Sequence, residues 1–172
     1  IRAIRQATTA ELECFIHGAI CVGHSGRCFL SRSTSSRSGN RGECSQPCRL
    51  PYDLRDSTGR LIMQGKHLLS VKDLDLSRSL EELIDAGITS FKIEGRLKDN
   101  GYIQNIVSHY RTLLDQIIAR HDDLKRQSAG RSIIDFTPDP AKSFTRGGSE
   151  YMLHGRRADV ASFDTPKAIG EF

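Results

Sequence analysis

From Cys21 to Arg49 the chain reads CVGHSGRCFLSRSTSSRSGNRGECSQPCR. Four cysteines and five arginines stand in this stretch, with Glu43 as its one acid and almost nothing apolar. A segment this polar cannot bury enough surface to offset the entropy of ordering its backbone. Either it stays unordered or something binds its sulfurs, and the rest of the fold has to be built around that choice.

The charge is concentrated in the same place. Residues 21–52 contribute 5 − 1 = +4, which is the whole net charge of the 172-residue chain. A local basic patch on an otherwise neutral protein points to an anionic partner such as RNA, a phosphate or a negatively charged cluster, against the plainer reading of a solvated loop. Arg27, Arg41 and Arg49 are the candidate contacts to RNA or another anion. With 37% apolar and 27% charged residues the composition is that of a globular domain. No apolar run approaches the ~20 residues a membrane-spanning helix needs. The opening residues lack the apolar core and cleavage site of a secretory signal. The chain starts within a helical pattern and stops without a helix end, as expected of a piece of a longer protein. Five cysteines without a secretory signal are expected to serve metal or redox chemistry in a reducing, cytoplasmic setting rather than a disulfide framework.

The pattern of elements is strand, helix, strand, helix. "LECFI" (12–16) reads as a short strand, and Cys14 within it as a small core residue. Residues 50–66 read as a hairpin turning at Ser57-Thr58-Gly59, and "HLLSV" (67–71) as another strand. A helix is expected to begin at an S-x-x-E capping box, Ser79 and Glu82, and to end at Gly87. "ITSFKIE" (88–94) is the next strand. Ile103, Ile106, Val107, Tyr110, Leu113, Leu114, Ile117 and Ile118 form a period-3.6 stripe over 102–120, which reads as a core-facing helix without chemistry of its own. Beyond residue 125 the pattern mixes charge with Gly and Pro, and 126–172 is read as a linker and the start of a β-rich region. Alternating strands and helices predict an α/β fold. The expectation is the last part of a (β/α) TIM-like barrel over 1–125, carrying an inserted cysteine-rich loop at 21–52. Three strands cannot close such a barrel, so the missing N-terminal strands of the same protein would be needed to complete it.

In a barrel of this kind the chemistry sits at the C-terminal strand ends. Three features fall there: the cysteine loop, Lys72-Asp73, and Glu94-Gly95-Arg96. Glu94 is the candidate proton mover and Arg96 the candidate clamp for a carboxylate or phosphate, against a structural ion pair at the rim. Lys72-Asp73 is as readily the start of the following helix. Cys21, Cys28, Cys44 and Cys48 are separated by six, fifteen and three residues. Zinc knuckles use tighter pairs, whereas iron–sulfur clusters tolerate irregular spacing. Spacing alone leaves cluster, zinc and free thiols open. His17 and His24 flank the first cysteine, either steadying the loop or forming a Cys–His dyad.

"ECFIHGAICVGHSGRCFLS" (13–31) resembles the signature of the collagenase-like peptidase family, the thirty-second among peptidases of unassigned mechanism. The matching positions are Glu13, Phe15, Gly18-Ala19-Ile20-Cys21, Gly26, Cys28, Leu30 and Ser31. "GNRGECSQPCR" (39–49), "HLLSVKDL" (67–74) and "FKIEGRLK" (91–98) resemble further family segments in the same order. The resemblance implies a (β/α) barrel. It also implies a [4Fe–4S] cluster on Cys21, Cys28, Cys44 and Cys48, in branches that hydroxylate ubiquinone, transfer RNA or ribosomal RNA, the RNA branch being linked to prephenate as a hydroxyl source. Cys14 matches no ligand position. The family name implies proteolysis, yet the chain has neither the H-E-x-x-H of zinc proteases nor a G-x-S-x-G elbow. An iron–sulfur-dependent RNA hydroxylase is therefore the leading expectation, with a peptidase and a non-catalytic RNA-binding scaffold as the alternatives.

Overall fold

The computed structural model describes residues 1–165. The chain divides into two compact units that interleave along the sequence. The first comprises Ile1–Gly18 and Asp75–Thr145; the second comprises Ala19–Leu74 and the described residues from Arg146 onward.

In the first unit a short helix, α1 (Arg2–Ala7), precedes strand β1 (Glu13–Gly18). After the long excursion through the second unit come helix α3 (Leu80–Asp85), strand β5 (Ser90–Ile93) and helix α4 (Asn100–Ile118). β1 and β5 pair in parallel, Glu13 against Ser90 and Cys14 against Phe91, with an irregularity between Phe15 and His17. Parallel strands need a long crossover, and α3 lies on it. The buried apolar side chains of this unit are Ile16, Leu76, Leu80, Leu83, Ala86, Ile88, Tyr102, Ile106, Tyr110 and Ile117. Four of them come from α4: Ile106, Tyr110 and Ile117 belong to the predicted stripe, Tyr102 does not, and the stripe's Val107 is exposed. Asp99 caps α4 by accepting the Tyr102 amide at 2.7 Å, so the helix begins two residues before the periodic stripe. Ser79 is the N-cap residue of α3, where the capping box was expected. The helix grows out of a 3₁₀ turn, Ser77–Ser79, and the Ser79 side chain makes no capping bond.

The second unit holds a short helix, α2 (Leu30–Thr34), and a hairpin of β2 (Tyr52–Arg55) and β3 (Leu61–Lys66). The hairpin turns where expected. Asp56 Oδ1 accepts the Thr58 amide and hydroxyl and the Arg60 amide, and Gly59 takes φ +86°. Every residue of β3 is exposed, including Leu61, Ile62 and Met63. The strand expected at 67–71 is displaced. Val71 makes only an isolated antiparallel bridge to Ala161, and the strand itself, β4, is Asp73–Asp75. β4 pairs in parallel with β6 (Gly148–Ser149). Two carboxylates fit a strand here because Asp73, 6% exposed, bonds the buried Arg146 through both its oxygens. Asp73 therefore does not open a helix. The expected β-rich region after residue 125 amounts, among the described residues, to the two-residue β6 and the bridge at Ala161. Residues 166–172, the end of the expected β-rich region, lie outside the described residues. The architecture is mixed α/β with parallel and antiparallel pairing, and no closed barrel is present among the described residues. None of the described helices is long and apolar enough to cross a membrane.

Candidate cysteine site

The polar segment after β1 is ordered by local turns rather than by a core. Helix α2 and two 3₁₀ turns, Gly39–Arg41 and Pro47–Arg49, fold it back on itself. Gly23 lies so close to the second cysteine that an added Cβ would stand 3.2 Å from Cys28 Cβ and 3.4 Å from its Sγ. Gly39 approaches Cys44 in the same way, at 3.6 and 3.8 Å. Asn40 Oδ1 accepts the Cys28 amide at 3.2 Å. The fully buried Ser31 accepts the Ser45 amide at 3.1 Å and directs its hydroxyl at Cys44 Sγ, 3.7 Å away. The Gln46 amide also donates to Cys44 Sγ, at 3.3 Å, from a residue in the left-handed region at φ +54°.

All five cysteines are free. Cys21 is exposed, and Cys28, Cys44 and Cys48 are half-buried. Burial pushes the Cys48 thiol up; Arg49 pulls it down, and Cys44, Cys21 and Cys28 each push it up further. Cys48 thus lies within electrostatic reach of the other three thiols. Among the described residues no three His, Cys, Asp or Glu side chains are drawn in as tightly as one metal ion requires. The set is all sulfur, with two hydrogen-bond donors aimed at one sulfur. Donors of this kind tune iron–sulfur centres, and a polynuclear cluster spreads its ligands over several metal corners. The donor chemistry fits such a group. Cys14 lies apart on β1, half-buried, with its Sγ 3.3 Å from the Phe15 carbonyl.

The arginines divide. Arg27 and Arg41 are exposed, as are Arg32 and Arg37. Arg37 is tied to the loop through the Glu43 and Cys44 carbonyls. Arg49, expected on an RNA-facing surface, is 4% exposed, and its guanidinium is spent on protein acceptors. A phosphate cannot reach it there.

Glu94 and Arg96 belong to the first unit, the cysteines and Lys72-Asp73 to the second. Glu94 stands just past β5, its amide bonded to the His17 carbonyl at 2.8 Å and its Oε1 accepting the Arg96 amide at 2.7 Å. Arg96 is exposed. The strand ends approach so closely that a Cβ on Gly18 would fall 2.6 Å from the Glu94 carbonyl oxygen.

The first unit also contains a polar group that sequence reasoning missed. His17, 7% exposed, lies with Nδ1 3.1 Å from the Tyr110 hydroxyl. That hydroxyl is 2.9 Å from the Ile16 carbonyl and 3.1 Å from Asp75 Oδ1. A phenol has one proton to give, so it donates to one of these acceptors and receives from His17 Nδ1–H. Burial, then the Asp75 charge, push the Tyr110 phenol far above its ordinary range. Burial pushes Asp75 up, but the Ser77 hydroxyl and amide, with His17 and Tyr110, hold it below the usual carboxylate range overall. Tyr110 was counted in the apolar stripe, and no sequence signal marks its hydroxyl. His24 turns Nδ1 to the Ser25 carbonyl at 3.1 Å.

The Peptidase family U32 model matches residues 1–161. The chain is 54% identical to the 23S rRNA 5-hydroxycytidine C2501 synthase of Escherichia coli (strain K12), over 99% of this chain and 26% of that protein. It is 36% identical to the tRNA hydroxylation protein P1 of Bacillus subtilis (strain 168), over 95% of this chain and 41% of that protein. It is also 36% identical to a collagenase of Porphyromonas gingivalis, over 61% of this chain and 29% of that protein. The chain thus spans well under half the length of these relatives. No solved structure matches. With the family pattern running from the first residue through β1, the cysteine loop and α4 to the bridge at Ala161, the chain belongs to Peptidase family U32.

Proposed function

We propose that the protein of which this chain is a part hydroxylates RNA, ribosomal RNA in the first instance, in the cytoplasm. We propose further that Cys21, Cys28, Cys44 and Cys48 hold a [4Fe–4S] cluster for it. The observation that carries the reading is a single turn-built loop that holds four free cysteines and directs two hydrogen-bond donors at Cys44 Sγ. The relatives named for rRNA and tRNA hydroxylation support the substrate class. The parallel β1–β5 pair with its helical crossover is compatible with a (β/α) barrel whose remaining strands lie in the rest of the longer protein.

When bound, the cluster supplies one-electron transfer or a Lewis-acidic iron. The chain's own residues do the rest. Exposed Arg27 and Arg41 take RNA phosphates and set register without reading sequence. Glu94, anchored through its backbone to β1, moves or holds a proton at Oε2, since Oε1 is engaged by the Arg96 amide. Arg96 takes a carboxylate or phosphate in a fork; prephenate, the implied co-substrate, carries two carboxylates. Ser31 and the Gln46 amide stabilise charge on Cys44.

The test uses full-length protein purified without oxygen. About four irons with matching sulfide are expected from a cluster of this type. They should be lost in Cys21→Ser, Cys28→Ser, Cys44→Ser or Cys48→Ser and kept in Cys14→Ser. Mass spectrometry of RNA from cells carrying each variant should show hydroxylation lost with the iron. Zinc, or no metal, would refute the cluster. The collagenase-named relative favours proteolysis as a second reading. Peptide cleavage surviving in an iron-free form, with RNA left unmodified, would establish it. An iron-loaded protein that binds RNA without modifying it would instead mark a scaffold.

A further inference from the structure

Arg49 follows the last cysteine, yet its guanidinium points into the protein. Nη1 donates to Ser70 Oγ at 2.8 Å and to the Val71 carbonyl at 2.6 Å, and Nη2 donates to the Ile20 carbonyl at 2.5 Å. Ile20 immediately precedes the first cysteine. One planar group thus ties the residue before Cys21 to the residue after Cys48, and both to the segment leading into β4. The backbone of Arg49 is held as well. His67 Nδ1 donates to its carbonyl at 2.9 Å, and the Tyr52 hydroxyl donates to the Pro47 carbonyl at 2.8 Å.

The charge is as informative as the clasp. Every acceptor named on the Arg49 guanidinium is neutral. A buried cation held only by neutral acceptors is costly unless an anion lies within reach. The nearest buried carboxylate, Asp73, already carries Arg146, whose side chain is 1% exposed, through a 3.0 Å ion pair. Arg146, in turn, opposes the charge of Arg49. Negative charge on Cys48, Asp73 or Cys21 would favour the Arg49 cation, and the two cysteines are the ones a bound group would make negative.

We propose that Arg49 is the positioning residue of the cysteine site: it clasps the two ends of the loop so that Cys21 and Cys48 stand together, and its buried charge favours the more negative state of the group they hold. The proposal rests on the cluster reading above. It gives a cluster of four thiolates, whose own charge is negative, a fixed counter-charge behind the first and last ligands. It also explains why this arginine, alone among the five of the loop, is withdrawn from solvent.

The experiment compares full-length wild type with Arg49→Gln, Arg49→Lys and Ser70→Ala, all purified without oxygen. It reads the cluster's midpoint potential by spectroelectrochemical titration and the half-life of bound iron against a ferrous chelator. Circular dichroism checks that each variant is folded. Removing the charge in Arg49→Gln should shift the reduced-to-oxidised ratio at fixed poise about tenfold toward oxidised, about 59 mV negative for a one-electron couple. Iron should also be released faster. Arg49→Lys keeps the charge and loses the fork, so its potential should stay near wild type while iron leaves faster. Ser70→Ala removes one of three bonds and should shorten iron retention with the potential unchanged. A wild-type potential in Arg49→Gln would overturn the electrostatic role. Wild-type iron retention in both Arg49→Lys and Ser70→Ala would overturn the clasp, and these two variants decide the matter if Arg49→Gln does not fold. Absence of iron from the wild type would overturn the underlying cluster reading, and the proposal with it. Iron-replete wild type with indifferent variants would overturn the proposal alone.

Discussion

Tyr110→Phe removes one oxygen from the core of the first unit and leaves the ring in place. The cost can be followed atom by atom. The Ile16 carbonyl keeps the Leu76 amide at 2.9 Å, so it is not stranded. Asp75 keeps the Ser77 amide at 3.0 Å but loses the phenol. His17 Nδ1 loses the hydroxyl at 3.1 Å in a site that is 7% exposed. A hydrogen bond to a charged group contributes about 1.5–3 kcal/mol, and a buried donor deprived of its acceptor costs about 1–3 kcal/mol. These overlap, because one oxygen served both, so the expected loss is about 2–4 kcal/mol. The assay is hydrogen exchange on full-length protein, followed at the amides of β1 and of the middle of α4. At 1.4 kcal/mol per tenfold, exchange through opening of this unit should speed roughly 30-fold to 700-fold. Val107→Ala, on the exposed flank of the same helix, should stay within about 0.5 kcal/mol and serves as control. A Tyr110→Phe protein whose β1 amides exchange at the control rate would refute the reasoning, since the network would then add nothing beyond packing.

Arg146→Met should destabilise the second unit by about 3–5 kcal/mol, because it strands the Asp73 carboxylate. Combining it with Asp73→Leu should recover part of the loss in a denaturant titration. The Asp75 carboxyl is held below its ordinary value, so it adds stability above the unfolded pKa near 3.9 and loses it as pH falls through the folded value. Asp75→Asn should therefore flatten the acid limb of urea midpoints below about pH 4, and an unchanged limb would remove Asp75 from the account. Gly18→Ala places a Cβ 2.6 Å from the Glu94 carbonyl at a φ of +109°. It should cost at least the ~1–3 kcal/mol of a strained backbone residue, read as a lower melting temperature, and a melt matching wild type would show that the strand ends can part.

What could be read in advance followed from local chemistry. Helix α4 was visible because eight apolar residues recur at its period, and the β2–β3 turn because Ser57-Thr58-Gly59 is a run of turn-forming residues. That Cys21, Cys28, Cys44 and Cys48 share one loop was visible from their positions in the chain. β4 was not, because Asp73-Leu74-Asp75 looks like a loop until Arg146, 73 residues away, supplies the charge that lets Asp73 be buried. The start of α3 was legible at Ser79, its N-cap, but the chain enters that helix through a 3₁₀ turn and Ser79 is buried without a side-chain capping bond. Nothing in composition separates Arg49 from Arg27. Only the carbonyls of Ile20 and Val71, brought together by the loop, make one a buried cation and leave the other in water.

The interleaving of the two units sets an order in which the chain can acquire structure. β1 leaves the ribosome early, but the Tyr110 hydroxyl that meets the Ile16 carbonyl follows 94 residues later, so the first unit waits on a distant contact. The cysteine loop waits far less. Its four sulfurs, the Arg49 clasp and the carbonyls that receive it all lie between Ile20 and Val71. During synthesis that stretch is complete while α4 is still being translated. If the loop takes a metal group, as proposed, its four thiols are in place on the growing chain before the distant contacts of the first unit can form.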